Sequence, residues 1–256
     1  MNAEAVIDDL IAALELPTSA RVDQRVPKKM LVENGAPTAA DKRAINEGVE
    51  GLVWLAALKP NTIGVPDYRD ETREYLEIAL LSLHLRAGAK SARLIALTHR
   101  AVPYPALLLT ARPEVVAISA AHKRWSQSEA DKTVLDGDII EAELGAAPDR
   151  PVVLAFRDAL ALNRQPRLSL FALYQGWIDT LLAFQAACKT GRFAPSDSPA
   201  SAAARREALV ACTRLEAEAE RLRSAAAREK QMARQVALNL ELKRLEAELA
   251  AVHANL

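Results

Sequence analysis

The chain holds only two cysteines in 256 residues. They are Cys188 and Cys212, and no Cys-x-x-Cys pair exists. A disulfide scaffold is excluded, and no structural zinc site is expected. Reduced thiols suit a cytoplasmic protein. Glycine is scarce, with nine in all. None of them builds Gly-x-x-x-x-Gly-Lys-Ser/Thr, Gly-x-Gly-x-x-Gly or Gly-x-Ser-x-Gly, and His-Glu-x-x-His is also missing. The common phosphate-cradling loops, the nucleophile elbow and the zinc-protease helix are therefore absent. Aromatics make up 4%, and with alanine abundant this favours helix over a β-sandwich. Charge of one sign is lacking too: 33 basic residues balance 33 acidic ones. Binding to nucleic acid through bulk charge is excluded, which leaves only local patches. No hydrophobic run spans a bilayer. Residues 168–188 come nearest, but Gln175, Asp179 and Gln185 mark a buried helix. The acidic, amphipathic start is no secretory signal, so a cytoplasmic, membrane-free chain is expected.

What is present is an ordinary globular composition, 50% hydrophobic and 26% charged, with length enough for about one to two domains. Residues 3–14 place Val6, Leu10, Ile11 and Leu14 on one helical face. Residues 21–26 read as a short strand, and 27–35 as a short helix between Pro27 and Asn34-Gly35. Thr38, with Asp41 three residues on, opens a helix that the spacing of Ile45, Val49, Leu52 and Leu55 carries to Lys59-Pro60. Residues 62–65 read as extended, and 75–85 as a central strand. A helix follows at 91–101. Beyond Pro103-Tyr104-Pro105, residues 106–110 and 115–121 form an antiparallel hairpin. Residues 133–144, interrupted at Asp136-Gly137-Asp138, suggest a further strand pair. Two apolar helices lie within 151–190.

These elements predict an α+β, or three-layer α/β, body over 1–192 with a mixed, partly antiparallel sheet. A Ser/Pro linker at 193–199 follows, and then a long helix over 200–256. Beyond Pro199 no Gly or Pro occurs. Leu215, Leu222 and Val236 keep a seven-residue spacing, beside Cys212, Ala219, Ala226, Ala233 and Leu240. Near the end the register shifts to Leu238, Leu242, Leu245, Leu249 and Val252. This is coiled-coil character with a stutter. A continuous helix of about 55 residues is roughly 80 Å long and needs a partner for its apolar stripe.

Candidate chemistry is sparse. Lys28 and Lys29 open a helix within a locally basic stretch (Arg21, Arg25, Lys42 and Arg43 against Asp23, Glu33 and Asp41) and are candidates for an anion or nucleic-acid contact. His99-Arg100 is a second candidate anion pair, set against the ordinary preference of cations for a helix C-terminus. His84 reads as a core or sheet-edge histidine. Asp67 and Glu77 flank the central strand in an element order like that of restriction endonucleases. Such enzymes hold a divalent metal on an Asp and a Glu, with a Lys two residues after the Glu. Here Ile78 and Ala79 follow Glu77, so the Lys is missing. No other cofactor is expected. On the tail, Gln231, Arg234, Asn239 and Lys243 lie near the apolar stripe and are candidate docking residues.

Three segments taken together resemble a widespread bacterial family of unknown function. They are Val26-Pro27-Lys28-Lys29 with Glu33-Asn34-Gly35, then Val102-Pro103-Tyr104-Pro105, then the run from Arg228 through Asn239 to Lys243. The resemblance implies an α/β body with a helical tail. It also implies genes beside SNF2-type helicases and DNA methyltransferases in defence-like islands. The expectation is a non-enzymatic accessory subunit of a bacterial DNA-defence system. Its tail would dock a helicase, nuclease or methyltransferase, with weak or indirect nucleic-acid contact. The alternatives are a divergent metal-dependent nuclease using Asp67 and Glu77, and a structural protein that self-associates through the tail.

Overall fold

The computed structural model describes residues 3–113, 115–127, 129, 132–146, 150–254 and 256. The chain divides into two compact units, Met1–Leu181 and Leu182–Leu256.

The first unit is built on a six-stranded mixed sheet. Its strands are β1 (Arg21–Arg25), β2 (Val49–Leu58), β5 (Ile78–Leu85), β6 (Ala106–Ala111), β7 (Val116–Trp125) and β8 (Thr133–Glu143), adjacent in that order. A small hairpin, β3 (Tyr68–Arg69) with β4 (Glu74–Tyr75), stands apart from it. Among the described residues only β5 and β6 run parallel. A parallel pair needs a crossover, supplied here by the helix α5 (Ser91–Ala101). Alternate residues of β5 (Ala79, Leu81, Leu83 and Leu85) join Leu108 of β6 in one core. That core is closed by Leu31 of α2 (Lys28–Gly35), Ile45 of α3 (Ala39–Gly48) and Leu94, Ile95 and Leu97 of α5. On the other face, α1 (Ala3–Ala13) lies against β6 and β7. There the helix α7 (Leu170–Thr190) sends the Tyr174 hydroxyl to the carbonyls of Ala106 and Ala121. Helices thus cover both faces, which explains the nearly continuous burial of β5, β6 and β7.

Thr38 caps α3, accepting from the Asp41 backbone N–H at 3.1 Å. The helix does not run on to Lys59, however. It stops at Gly48, and residues 49–58 are β2. Register shifts between Val49 and Gly51, and again between Trp54 and Ala56, interrupt the two-residue alternation. Each bulge moves the apolar set by one position, and the result imitates helical spacing. Residues 62–65 are not a strand: Thr62 and Ile63 complete one helical turn, α4 (Pro60–Ile63), which ends on left-handed Gly64. Residues 133–143 are a single strand, with Gly137 at a φ of 84° where the pairing with β7 slips.

The second unit contains α8 (Pro199–Arg228) and α9 (Met232–His253). Ser198 caps α8 in a reciprocal box with Ser201, and Pro199 sits in its first turn. The expected single rod is instead an antiparallel hairpin. Arg223 reaches Glu246 at 2.8 Å and Arg214 reaches Glu248 at 3.7 Å. The break lies at Glu229–Gln231, with Glu229 and Gln231 both extended. The physical reason is the change of register. In one straight helix the Leu238–Val252 line would leave the face defined by Cys212, Leu215, Ala219 and Leu222. Folding back brings that line toward α8, where its residues are half-buried.

Candidate functional site

The polar chemistry of the first unit collects along β7. Alternation points Ser119 and Lys123 to one side of the sheet and His122 to the other. His122 is held at both ring nitrogens. Nδ1 lies 2.6 Å from the Tyr75 hydroxyl, and Nε2 lies 2.8 Å from Gln175 Oε1. A carbonyl oxygen only accepts, so Nε2 carries the proton and Tyr75 donates to Nδ1. Gln175 in turn donates to Asp179 at 2.8 Å. The Phe171 ring stacks on His122 at 5.0 Å and on Tyr68 at 4.9 Å. Burial pushes the Tyr75 and Tyr174 hydroxyls well above the usual phenol range. The array ties α7 and β4 to β7, and its ring nitrogens are engaged in that task.

On the opposite side, His99 is fully buried, with Nε2 3.0 Å from Ser119 Oγ. Its Nδ1 is buried without a hydrogen-bond partner. Burial, and then the neighbouring Lys123, lower its pKa to about 3. Lys123 is 2% exposed. Its ammonium donates to the carbonyls of His99 and Val102, and burial lowers its pKa to about 8. The expected surface pair at His99–Arg100 is therefore corrected. Arg100 is exposed, whereas His99 points into the core as a neutral ring and cannot meet an external anion. Sequence reasoning missed Lys123. The available signal was a lysine that shares parity with Ser119 in an otherwise apolar strand.

Lys28 begins α2 half-buried, and Lys29 is exposed and pairs with Glu33 at 3.5 Å. Asp67 is exposed. Glu77 is 6% exposed, with Oε2 3.0 Å from Lys59 Nζ and Oε1 buried without a hydrogen-bond partner. Among the described residues, no hydrogen bond or ion pair joins Asp67 to Glu77. Nor does any group of three or more His, Cys, Asp or Glu gather to hold a metal. His84 Nε2 lies 3.0 Å from Ser82 Oγ on β5, in keeping with a sheet histidine.

In the second unit, Gln231 is the N-cap of α9 but makes no side-chain cap bond. Arg234, Asn239 and Lys243 are exposed. Helical spacing sets Met232, Val236, Asn239, Leu240 and Lys243 on one face, whereas Arg234, four residues before Leu238, falls on the opposite side, so the expected docking set is not brought together whole. Met232 is 79% exposed, Val236 53% and Leu240 57%. This is the line along which the seven-residue spacing of α8 continues, and it lies opposite the half-buried leucines. Apolar residues thus occupy both sides of α9, while none of its residues is fully buried.

The model of one family, described as a domain of unknown function (DUF4391), matches residues 14–249. No curated protein and no solved structure matches the chain.

Proposed function

This chain belongs to the DUF4391 family, and from that premise we propose that it is a non-enzymatic interaction subunit that docks a partner protein through the outward face of α9. The partner class follows the resemblance: a helicase, nuclease or methyltransferase subunit of a bacterial DNA-defence system. The observation that carries this reading is the Met232–Val236–Leu240 line. A helix that is apolar on two sides is ordinarily covered on both. The hairpin with α8 covers the Leu238–Val252 side, so the other side is available to a partner helix. Among the expected docking residues, Asn239 and Lys243 lie within this face. The preference for binding over catalysis is supported by the engagement of Glu77 with Lys59, and of His122 with Tyr75 and Gln175.

Nuclease-treated affinity capture from the source bacterium tests the proposal, with the full chain and a Val236→Glu/Leu240→Glu variant run in parallel. Both substitutions lie on exposed positions, and matched thermal melts control for folding. The expected result is a helicase, nuclease or methyltransferase subunit recovered with the wild type and lost with the variant. Recovery of no such subunit, or equal recovery with both, overturns the reading.

A further inference from the structure

The charges of α9 are divided between its two sides, and this division points to the chemistry of what docks there. Two of the three carboxylates of the helix pair with α8. Glu246 pairs with Arg223 and Glu248 with Arg214, and the charge of Glu241 acts on Arg221. The cations are not so used. On the outward side Lys243 and Arg244 are exposed, and among the described residues neither has an ion pair. Lys243 and Arg244 border the Val236–Leu240 line directly. The outward face therefore combines an apolar seam with positive charge that no ion pair compensates, while Glu246 and Glu248 are taken up by α8.

Resting on the docking reading above, we infer that the occupant of this face is an acidic amphipathic helix of a partner protein. Its apolar positions would lie along Val236 and Leu240, where Ala233 and Ala247 permit close approach. Its carboxylates would meet Lys243 and Arg244. Complementary flanking charges select partners in helix pairs of this kind. A lipid surface is the poorer fit. Interfacial helices rely on Trp or Phe together with a densely basic polar face, and α9 has no aromatic residue. Nucleic acid is poorer still, because phosphates gain nothing from the apolar seam.

The test uses the full chain and three probes. The first is a fluorescent peptide of three heptads with Leu at both core positions and Glu at the flanking positions. The second is the same peptide with Lys in place of Glu. The third is a set of phosphatidylserine–phosphatidylcholine vesicles. The wild type is expected to bind the Glu peptide at least about tenfold more tightly than the Lys peptide at low salt, with the gap narrowing at about 0.5 M. Lys243→Glu/Arg244→Glu should invert that order, and Val236→Glu should weaken both peptides. Equal affinity for the two peptides, an order unchanged by the charge reversal, or binding to the vesicles alone would overturn the inference. If Val236→Glu/Leu240→Glu abolishes partner capture while the charge reversal leaves capture and peptide order unchanged, the docking face stands and its acidic occupant does not.

Discussion

The buried ammonium of Lys123 donates to the main-chain carbonyl of His99, 2.5 Å away, and caps the C-terminal end of α5 from the neighbouring strand. A cation suits that end of a helix, where carbonyls lack intrahelical partners. Holding it there costs solvation, and burial lowers the Lys123 pKa from 10.5 to about 8. Between those values the unfolded chain keeps a proton that the folded chain has released. Stability must therefore rise with pH across this window. Relative to Lys123→Met, the wild type should gain on the order of 2–3 kcal/mol from pH 8 to 10. Urea unfolding of both proteins across that range checks this, and parallel profiles would refute it.

His99 acts in the same direction at the acid end of the pH profile. Its folded-state pKa is lowered from 6.5 to about 3 by burial and then by Lys123. Below pH 6.5 the unfolded chain takes up a proton that the folded chain refuses. Stability should fall as pH drops from 6.5 toward 3, by about 2 kcal/mol over the first two units. His99→Gln keeps a polar group near Ser119 but removes this titration. The variant should show a flatter profile between pH 6.5 and 4.5, and an unchanged slope would remove His99 as its source.

Close packing of α2 on α5 depends on Gly35. A Cβ there would sit 2.6 Å from the Leu97 carbonyl oxygen and 2.8 Å from Ala101 Cβ. Both neighbours are fixed by α5, so Gly35→Ala forces the helices apart. The expected loss is about 2 kcal/mol, or several degrees in Tm. Gly51→Ala is the control, since nothing lies within 4 Å of its added methyl. That variant should melt within about a degree of wild type.

Some of this architecture was legible in the residues and some was not, for identifiable reasons. The run of Leu80, Leu81 and Leu83 announced a central strand, and Ser198-Pro199 announced the start of α8. Strand β2 was hidden because two bulges displaced Val49, Leu52 and Trp54 from simple alternation. His99 looked like a surface residue because its chain neighbours Arg100 and Pro103 are typical of an exposed helix end. Only the position of Ser119, twenty residues away, reveals that the ring turns inward. The tail residues Asn239 and Lys243 could be placed near an apolar stripe from sequence. Which of the two stripes was already occupied depended on the reversal at Glu229–Gln231, and no Gly or Pro marks that reversal.

That unmarked reversal yields a prediction in which the sign of the effect is the result. Gln231 has the extended backbone of an N-cap but makes no side-chain bond to the first turn of α9. A shorter carboxylate at this position can accept from the free N–H groups there and also suits the positive end of the helix. Gln231→Asp should therefore stabilise the hairpin by about 1 kcal/mol. In a continuous α8–α9 rod the same position would be helix interior, where Asp is a poorer helix former than Gln by a few tenths of a kcal/mol. Chemical unfolding of the full chain, followed by far-ultraviolet circular dichroism, separates the two. A raised midpoint supports the break at Glu229–Gln231. A lowered one restores a single long helix, and the Val236–Leu240 line then continues the buried stripe of α8 instead of facing outward from a hairpin.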